Sequence, residues 1–167
     1  KLMIYENLEA YPPAYTIHDV EVFDSDDAIR ERLKEHEVDL RRTALLTAPF
    51  DPASIEPQLA EEPVSIDHYG INEVTLSVDM KSAGILVLTD VIYPGWIAKL
   101  ETGEELPVLA VDSVLRSVAL PKGQHTVSFI YKPNGFVPGA VISLVALILT
   151  LAWAGFSIHQ IRSGYHT

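Results

Sequence analysis

The sequence predicts a mainly β protein: an antiparallel β-sandwich or jelly-roll-like domain with one short helix, followed by a C-terminal transmembrane α-helix. Three observations predict it. Residues 64–132 break into short runs with two-residue alternation, separated by glycine and proline turns. Residues 19–37 hold the one segment that combines a helix cap with helical spacing of apolar side chains. From Pro133 to Ser157 there is no Asp, Glu, Lys, Arg or His. The expected division is a β-rich domain over 1–132, a span over 133–159 and a short tail over 160–167.

Taken in order, Ala14–Phe23 (AYTIHDVEVF) alternates as a strand. Asp24 or Ser25 can cap a helix over about 25–36, with Asp26 and Asp27 in its first turn and Ala28, Ile29 and Leu33 on its apolar face. Thr43–Thr47 is a short apolar run, and Ala48–Pro63, with four prolines, is an extended loop. Glu73–Met80 places Val74, Leu76, Val78 and Met80 on one face. Gly84 then opens ILVLTD, a continuous apolar run suited to a central strand buried on both faces. Ile97–Leu100 and Leu106–Val111 flank Glu101-Thr102-Gly103-Glu104, a hairpin in which Gly103 can take positive φ. Val114–Leu120 ends at the turn Pro121-Lys122-Gly123, and His125–Lys132 alternates with Val127, Phe129 and Tyr131 facing one way.

Val137–Ile158 has 22 residues, which as a helix reaches ~33 Å. A hydrocarbon layer is ~30 Å thick. Pro138 falls in the first turn, where a missing N–H costs little, and Phe136, Trp153, Phe156 and Tyr165 suit interfacial positions. Gly139, Ser143, Ala146, Thr150 and Ser157 share one stripe, the kind of face that closely packed membrane helices use. The expected partners are therefore the lipid bilayer and other transmembrane helices. Lys122 and Lys132 precede the span and Arg162 follows it, so the positive charges lean weakly against a cytoplasmic tail.

Composition excludes several classes. With 12 Lys+Arg against 23 Asp+Glu, the net charge of −11 speaks against a nucleic-acid binder. The absence of cysteine removes disulfides, thiolate zinc sites and cysteine nucleophiles. His36, His68 and His125 have no metal-ligand spacing, and Asp24-Ser25-Asp26-Asp27 lacks the glycine and distal glutamate of a calcium loop. His18 beside Asp19 would point to the opposite face of a strand, so the two do not make a base and its orienter. No nucleophile-elbow, metalloprotease, P-loop or dinucleotide motif is present.

Asp90, Tyr93 and Trp96 cluster where the buried strand exits at Pro94-Gly95. An aromatic ring beside a carboxylate can stack on a sugar and accept its hydroxyl hydrogen bonds, which would bring in a cell-envelope glycan. The same residues can equally be structural, and that reading is favoured. Trp96 then plugs the core, Pro94-Gly95 makes the bend, and Arg116 pairs with Asp90 or Asp112.

Tyr5-Glu6-Asn7, Pro13-Ala14-Tyr15 leading into His18-Asp19-Val20-Glu21-Val22, and Arg42-Thr43-Ala44 resemble the C-terminal region of the bacterial YfhO family. So do Asp90-Val91-Ile92-Tyr93-Pro94-Gly95-Trp96, Leu106-Pro107-Val108, Leu115-Arg116-Ser117-Val118, Leu120-Pro121-Lys122-Gly123-Gln124-His125-Thr126-Val127 and Phe129-Ile130-Tyr131-Lys132-Pro133. Thr102-Gly103 stands where the family usually has Asp-Gly, a mild change in a turn. The resemblance implies a large bacterial multi-pass protein of the cell membrane, similar to GT-C glycosyltransferases, that uses polyprenyl-phosphate sugar to modify envelope polymers. It implies that this chain, which opens on Lys1, is a fragment with no catalytic residue and no cofactor of its own. It also implies an extracytoplasmic domain over 1–132, against the weak lean of the charges. A stand-alone anchored β-sandwich that binds envelope glycan or a partner protein is the alternative.

Overall fold

The computed structural model describes residues 3, 7, 10–35 and 37–164, the side chains of 157, 158 and 160–164 excepted. The chain divides into two units between Lys132 and Pro133. In the first, β1 (Ala14–Ile17), β6 (Gly84–Val91), β10 (Leu115–Leu120) and β9 (Leu109–Val111) form a four-stranded sheet in the order β1-β6-β10-β9. A five-stranded sheet runs β4 (Val64–Tyr69), β5 (Glu73–Met80), β11 (Gly123–Tyr131), β7 (Trp96–Leu100) and β8 (Glu105–Leu106). Every pairing within these two sheets is antiparallel. The predicted sandwich is present.

Alternation builds its core. Val74, Leu76, Val78 and Met80 of β5, Val127 and Phe129 of β11 and Ala98 of β7 face Ala14, Leu86, Leu88, Val118 and Leu120 of the other sheet. Each large apolar side chain buried this way is worth about 1.5–3 kcal/mol. On the far face of β6, Ile85 and Val87 join Ile17 and Val111 against Ala44 and Leu46. Those last two belong to β3 (Thr43–Thr47), which pairs with β2 (Asp19–Phe23) as a small third layer. Residues 84–88 of β6 are consequently buried without a break, as the apolar run predicts.

Two expected strands divide, and one pairing is parallel. Ala14–Phe23 breaks at His18, because Ile17 pairs with Ile85 in the four-stranded sheet whereas Asp19 pairs with Thr43 in the outer layer. β2 and β3 are parallel, which requires a crossover. Helix α1 (Asp26–Lys34) supplies it, with the Ser25 hydroxyl accepting from the Ala28 amide at its start and Ile29 buried beneath it. Leu106–Val111 divides at Pro107, whose nitrogen has no proton for a sheet. β8 stays beside β7, and β9 moves to the opposite sheet. In the hairpin between β7 and β8, Gly103 has a φ of 87°, as that turn requires.

His18 marks the break because its ring turns inward. Nδ1 donates to the Glu56 carbonyl at 2.9 Å, and Nε2 lies 2.8 Å from Glu62 Oε2. Glu62 also accepts from the Lys81 amide at 2.6 Å. Burial alone would raise this carboxyl, but the bonds from His18 and Lys81 prevail and hold it below its ordinary value. Its contribution to stability is therefore present at neutral pH and lost as pH falls through the lowered value. Gly84 makes room for the ring, since a Cβ there would stand 2.5 Å from His18 Cε1. The network pins the proline-rich loop 48–63 to the sandwich.

Asp112 pins the outer layer. It and Ser113 have φ of 54° and 65°, the left-handed pair of a tight hairpin turn between β9 and β10. The Asp112 amide donates to the Leu45 carbonyl at 2.9 Å, and Asp112 Oδ1 accepts from the Leu45 amide at 3.1 Å. Burial raises the Asp112 carboxyl to about 6, although the Leu45 amide opposes the shift.

The second unit is α2 (Phe136–Gly164), 29 residues long. Phe136–Phe156 is long and apolar enough to cross a membrane, with mean hydropathy 2.3 and none of its most apolar window buried. A core helix of a soluble protein would be covered. Thr150 Oγ1 donates to the Ala146 carbonyl at 2.8 Å, which satisfies the hydroxyl within the helix.

Asp112 yields a pH-dependent prediction. A carboxyl raised above its unfolded value of 3.8 binds its proton more tightly in the folded chain. The folded state is then favoured most below about pH 4, loses that advantage up to about pH 6, and remains less stable by roughly 2–3 kcal/mol above it. Asn keeps the acceptor for Leu45 and tolerates the left-handed backbone. Asp112→Asn should therefore raise Tm of the full chain in detergent micelles at neutral pH and give no gain near pH 3.5.

Candidate functional site

One end of the sandwich gathers the residues singled out by sequence. It comprises the 70–72 connection from β4 to β5, the 92–95 connection from β6 to β7, and the chain exit at Tyr131 and Lys132. Asp90 lies near the end of β6, Trp96 opens β7, Arg116 lies on β10 and Tyr93 is in the loop. Gly95 turns that loop with a φ of 107°.

Arg116 organises the cluster. It projects between the two sheets and is only 3% exposed. Its guanidinium lies 3.7 Å from the centroid of the Trp96 ring, and Nη2 donates to Asp90 Oδ2 at 2.6 Å. Burial pushes the guanidinium below its usual range, and Asp90 offsets part of that. The Tyr69 hydroxyl donates to the same carboxylate at 2.8 Å, and this bond raises its pKa. Trp96 in turn packs against Tyr131, ring centroids 5.2 Å apart. Among the described residues, Nε and Nη1 of Arg116 are buried without a hydrogen-bond partner; the aromatic face of Trp96 compensates part of that charge.

The structure thus brings Asp90, Trp96 and Arg116 together and leaves Tyr93 outside, 64% exposed. Asp90 is engaged by Arg116 and Tyr69, and Asp112 bonds the Leu45 amide rather than Arg116. Tyr69 went unnoticed in the sequence, because the last residue of an alternating edge strand carries no mark of a partner 21 positions away. A shallow hollow of about 350 Å3, lined by Tyr93, Pro94, Trp96 and Val108 among others, lies beside the cluster.

Other hollows offer less chemistry. One, about 510 Å3, is lined by Asp79, Glu101 and His125 among others. Asp79 pairs with Lys81, Glu101 accepts from the Thr126 amide, and His125 Nε2 donates to the Pro121 carbonyl. An apolar hollow of about 340 Å3 is lined by Tyr11, Leu33, Leu40 and Val114, with Tyr15 and Asp112 on its wall. Among the described residues the Tyr15 hydroxyl is buried there without a partner, and burial pushes its pKa to about 12. Among the described residues, no three His, Asp or Glu side chains converge as a metal site.

On α2, Gly139, Ser143, Ala146 and Thr150 are all exposed. The Ser157 side chain lies outside the described residues, as do Tyr5, Glu6, His36 and Tyr165.

The family model described as bacterial membrane protein YfhO matches residues 9–143. The chain belongs to the YfhO family. No curated protein and no solved structure matches it. The YfhO match starts before β1, takes in the whole Arg116 cluster and ends inside α2. The sandwich and the start of the apolar helix are therefore parts of one family unit.

Removing a partner from a buried charge costs about 3–5 kcal/mol. In this YfhO chain, Asp90→Ala should lower stability by roughly 3 kcal/mol and Tyr69→Phe by about 1 kcal/mol, the latter the net worth of one hydrogen bond. Trp96→Ala should unfold the domain rather than selectively remove a ligand-binding function. Denaturant unfolding of the full chain in micelles checks the series. Unchanged stability of Trp96→Ala with loss of glycan binding would instead make the cluster a sugar site.

Proposed function

We propose that this YfhO chain is the C-terminal, non-catalytic portion of a multi-pass membrane glycosyltransferase that uses polyprenyl-phosphate sugar to modify cell-envelope polymers. The β-sandwich lies on the extracytoplasmic side, covers the outer cavity where donor and acceptor meet, and helps hold the acceptor. α2 is the last span, and Gly139, Ser143, Ala146, Thr150 and Ser157 pack it against other spans of the same protein.

The observation that carries this reading is the family match from residue 9 into α2 at residue 143. The chemistry of the sandwich agrees with a supporting role. Asp90 is occupied by Arg116 and Tyr69, and His18 is sealed between Glu56 and Glu62, so neither is placed to act as an acid or base on a substrate.

Two measurements test the proposal. Thr102→Cys gives a unique thiol, because the chain has no cysteine. A membrane-impermeant maleimide should label it in intact cells; labelling only after lysis would put the sandwich in the cytoplasm. The complete reading frame should transfer sugar from a polyprenyl-phosphate donor in isolated membranes, and deleting the residues equivalent to 1–132 should abolish transfer. Full activity without them would remove the proposed role.

A further inference from the structure

We propose that the two loops flanking the chain exit form a membrane-docking surface, in which Ile71 and Tyr93 enter the headgroup–acyl boundary of the leaflet where α2 begins. The inference rests on reading α2 as a span.

Ile71 is 94% exposed, Val91 68% and Tyr93 64%. Scattered apolar residues on a surface need no explanation, but these are grouped. Ile71 and Tyr93 line one shallow hollow of about 310 Å3 together with Asn72, Trp96 and Tyr131. Their two loops also hold the departing chain. The Tyr131 amide donates to the Asn72 carbonyl at 2.8 Å, and the Lys132 amide to the Gly95 carbonyl at 2.7 Å. The most exposed tips of these loops therefore surround the last hydrogen bonds that the chain makes before it leaves the sandwich.

Covalent reach supplies the occupant. Only Pro133, Asn134 and Gly135 separate Lys132 from Phe136, where α2 starts. Four residues of fully extended chain cover at most ~14 Å. Each headgroup layer is itself ~5–8 Å deep, so the loops that clamp Lys132 stay within reach of lipid whatever the angle between the two units.

Charge and residue type fit the same occupant. Gly70-Ile71-Asn72 and Val91-Ile92-Tyr93-Pro94-Gly95 carry no charge in a chain of net charge −11. Asp90, immediately before the second of these segments, is neutralised by Arg116, and Glu73, immediately after the first, is an exposed acid at the rim of the uncharged patch. Tyrosine favours the membrane–water boundary, where its ring lies in the apolar layer and its hydroxyl in the wet one. Lys132 adds a cation at the level of lipid phosphates. A lipid surface is thus the partner these tips suit.

The test uses the full chain in phosphatidylcholine vesicles, with and without doxyl-labelled lipid. Ile71→Cys, Tyr93→Cys, Thr102→Cys and Val145→Cys each receive one environment-sensitive NBD fluorophore. Thr102 lies at the opposite end of β7 from the exit, and Val145 lies within α2. Labels at 71 and 93 should emit to the blue of the label at 102, with doxyl quenching several-fold stronger than at 102. Water-like emission at 71 and 93, while the label at 145 is quenched, overturns the docking and leaves the span intact. Blue-shifted emission at 71 and 93 without doxyl quenching also overturns it, because those tips are then covered by protein. Absence of quenching at 145 overturns the span and the docking together.

Discussion

The domain depends on one strand being apolar on both faces. β6 carries Leu86 and Leu88 toward the five-stranded sheet and Ile85 and Val87 toward the β2–β3 layer. Neither face can meet water, so both must be covered. The five-stranded sheet covers one. The other is covered by the parallel pair β2–β3, which exists because α1 carries the chain back across to start β3 beside β2. The proline-rich loop, the left-handed turn at Asp112 and the division of the first strand at His18 all serve to hold that outer layer in place.

Buried charge marks both ends of this core. At the end where β6 begins, the Glu62 carboxylate joins His18 to the Lys81 amide beneath the loop. At the end where β6 finishes, Asp90 joins Arg116 to Tyr69. A buried ion pair contributes less to net stability than its Coulomb energy implies, because both ions lose water. It does penalise any other arrangement of the strands that carry it. β4, β6, β7 and β10 meet in one register around Arg116, and the chain leaves for α2 from the same end.

Much of the architecture was legible because it rests on local periodicity. The alternation in β5 and β11, the double-faced run of β6, the Ser25 cap and the glycine turn at Gly103 each declare themselves within a dozen residues or so, and the uncharged span within 22. The boundaries that failed to appear have a common cause. A strand that changes sheets keeps its alternation, so where the two halves on either side of His18 and of Pro107 go becomes visible only when the partners Ile85, Thr43, Ala98 and Ser117 are known. The candidate site shows the same limit. Asp90, Trp96 and Arg116 stood out by residue type, whereas Tyr69, and Glu62 in its loop, did not.

By itself the sequence determined the class of the protein: an acidic β domain joined to a helix apolar enough for lipid, within the YfhO family. The acidic β domain and the apolar helix follow from composition and short-range spacing, and the family from its motifs and the family-model match, none of which needs knowledge of the fold. The tertiary structure decided what each polar residue does. It brought Asp90 to Arg116 across 26 positions and His18 to Glu62 across 44, and it left Tyr93 and Ile71 at the exit without cover. The physical reason is that a buried polar group takes its role from whichever partner satisfies it, and long-range strand pairing chooses that partner.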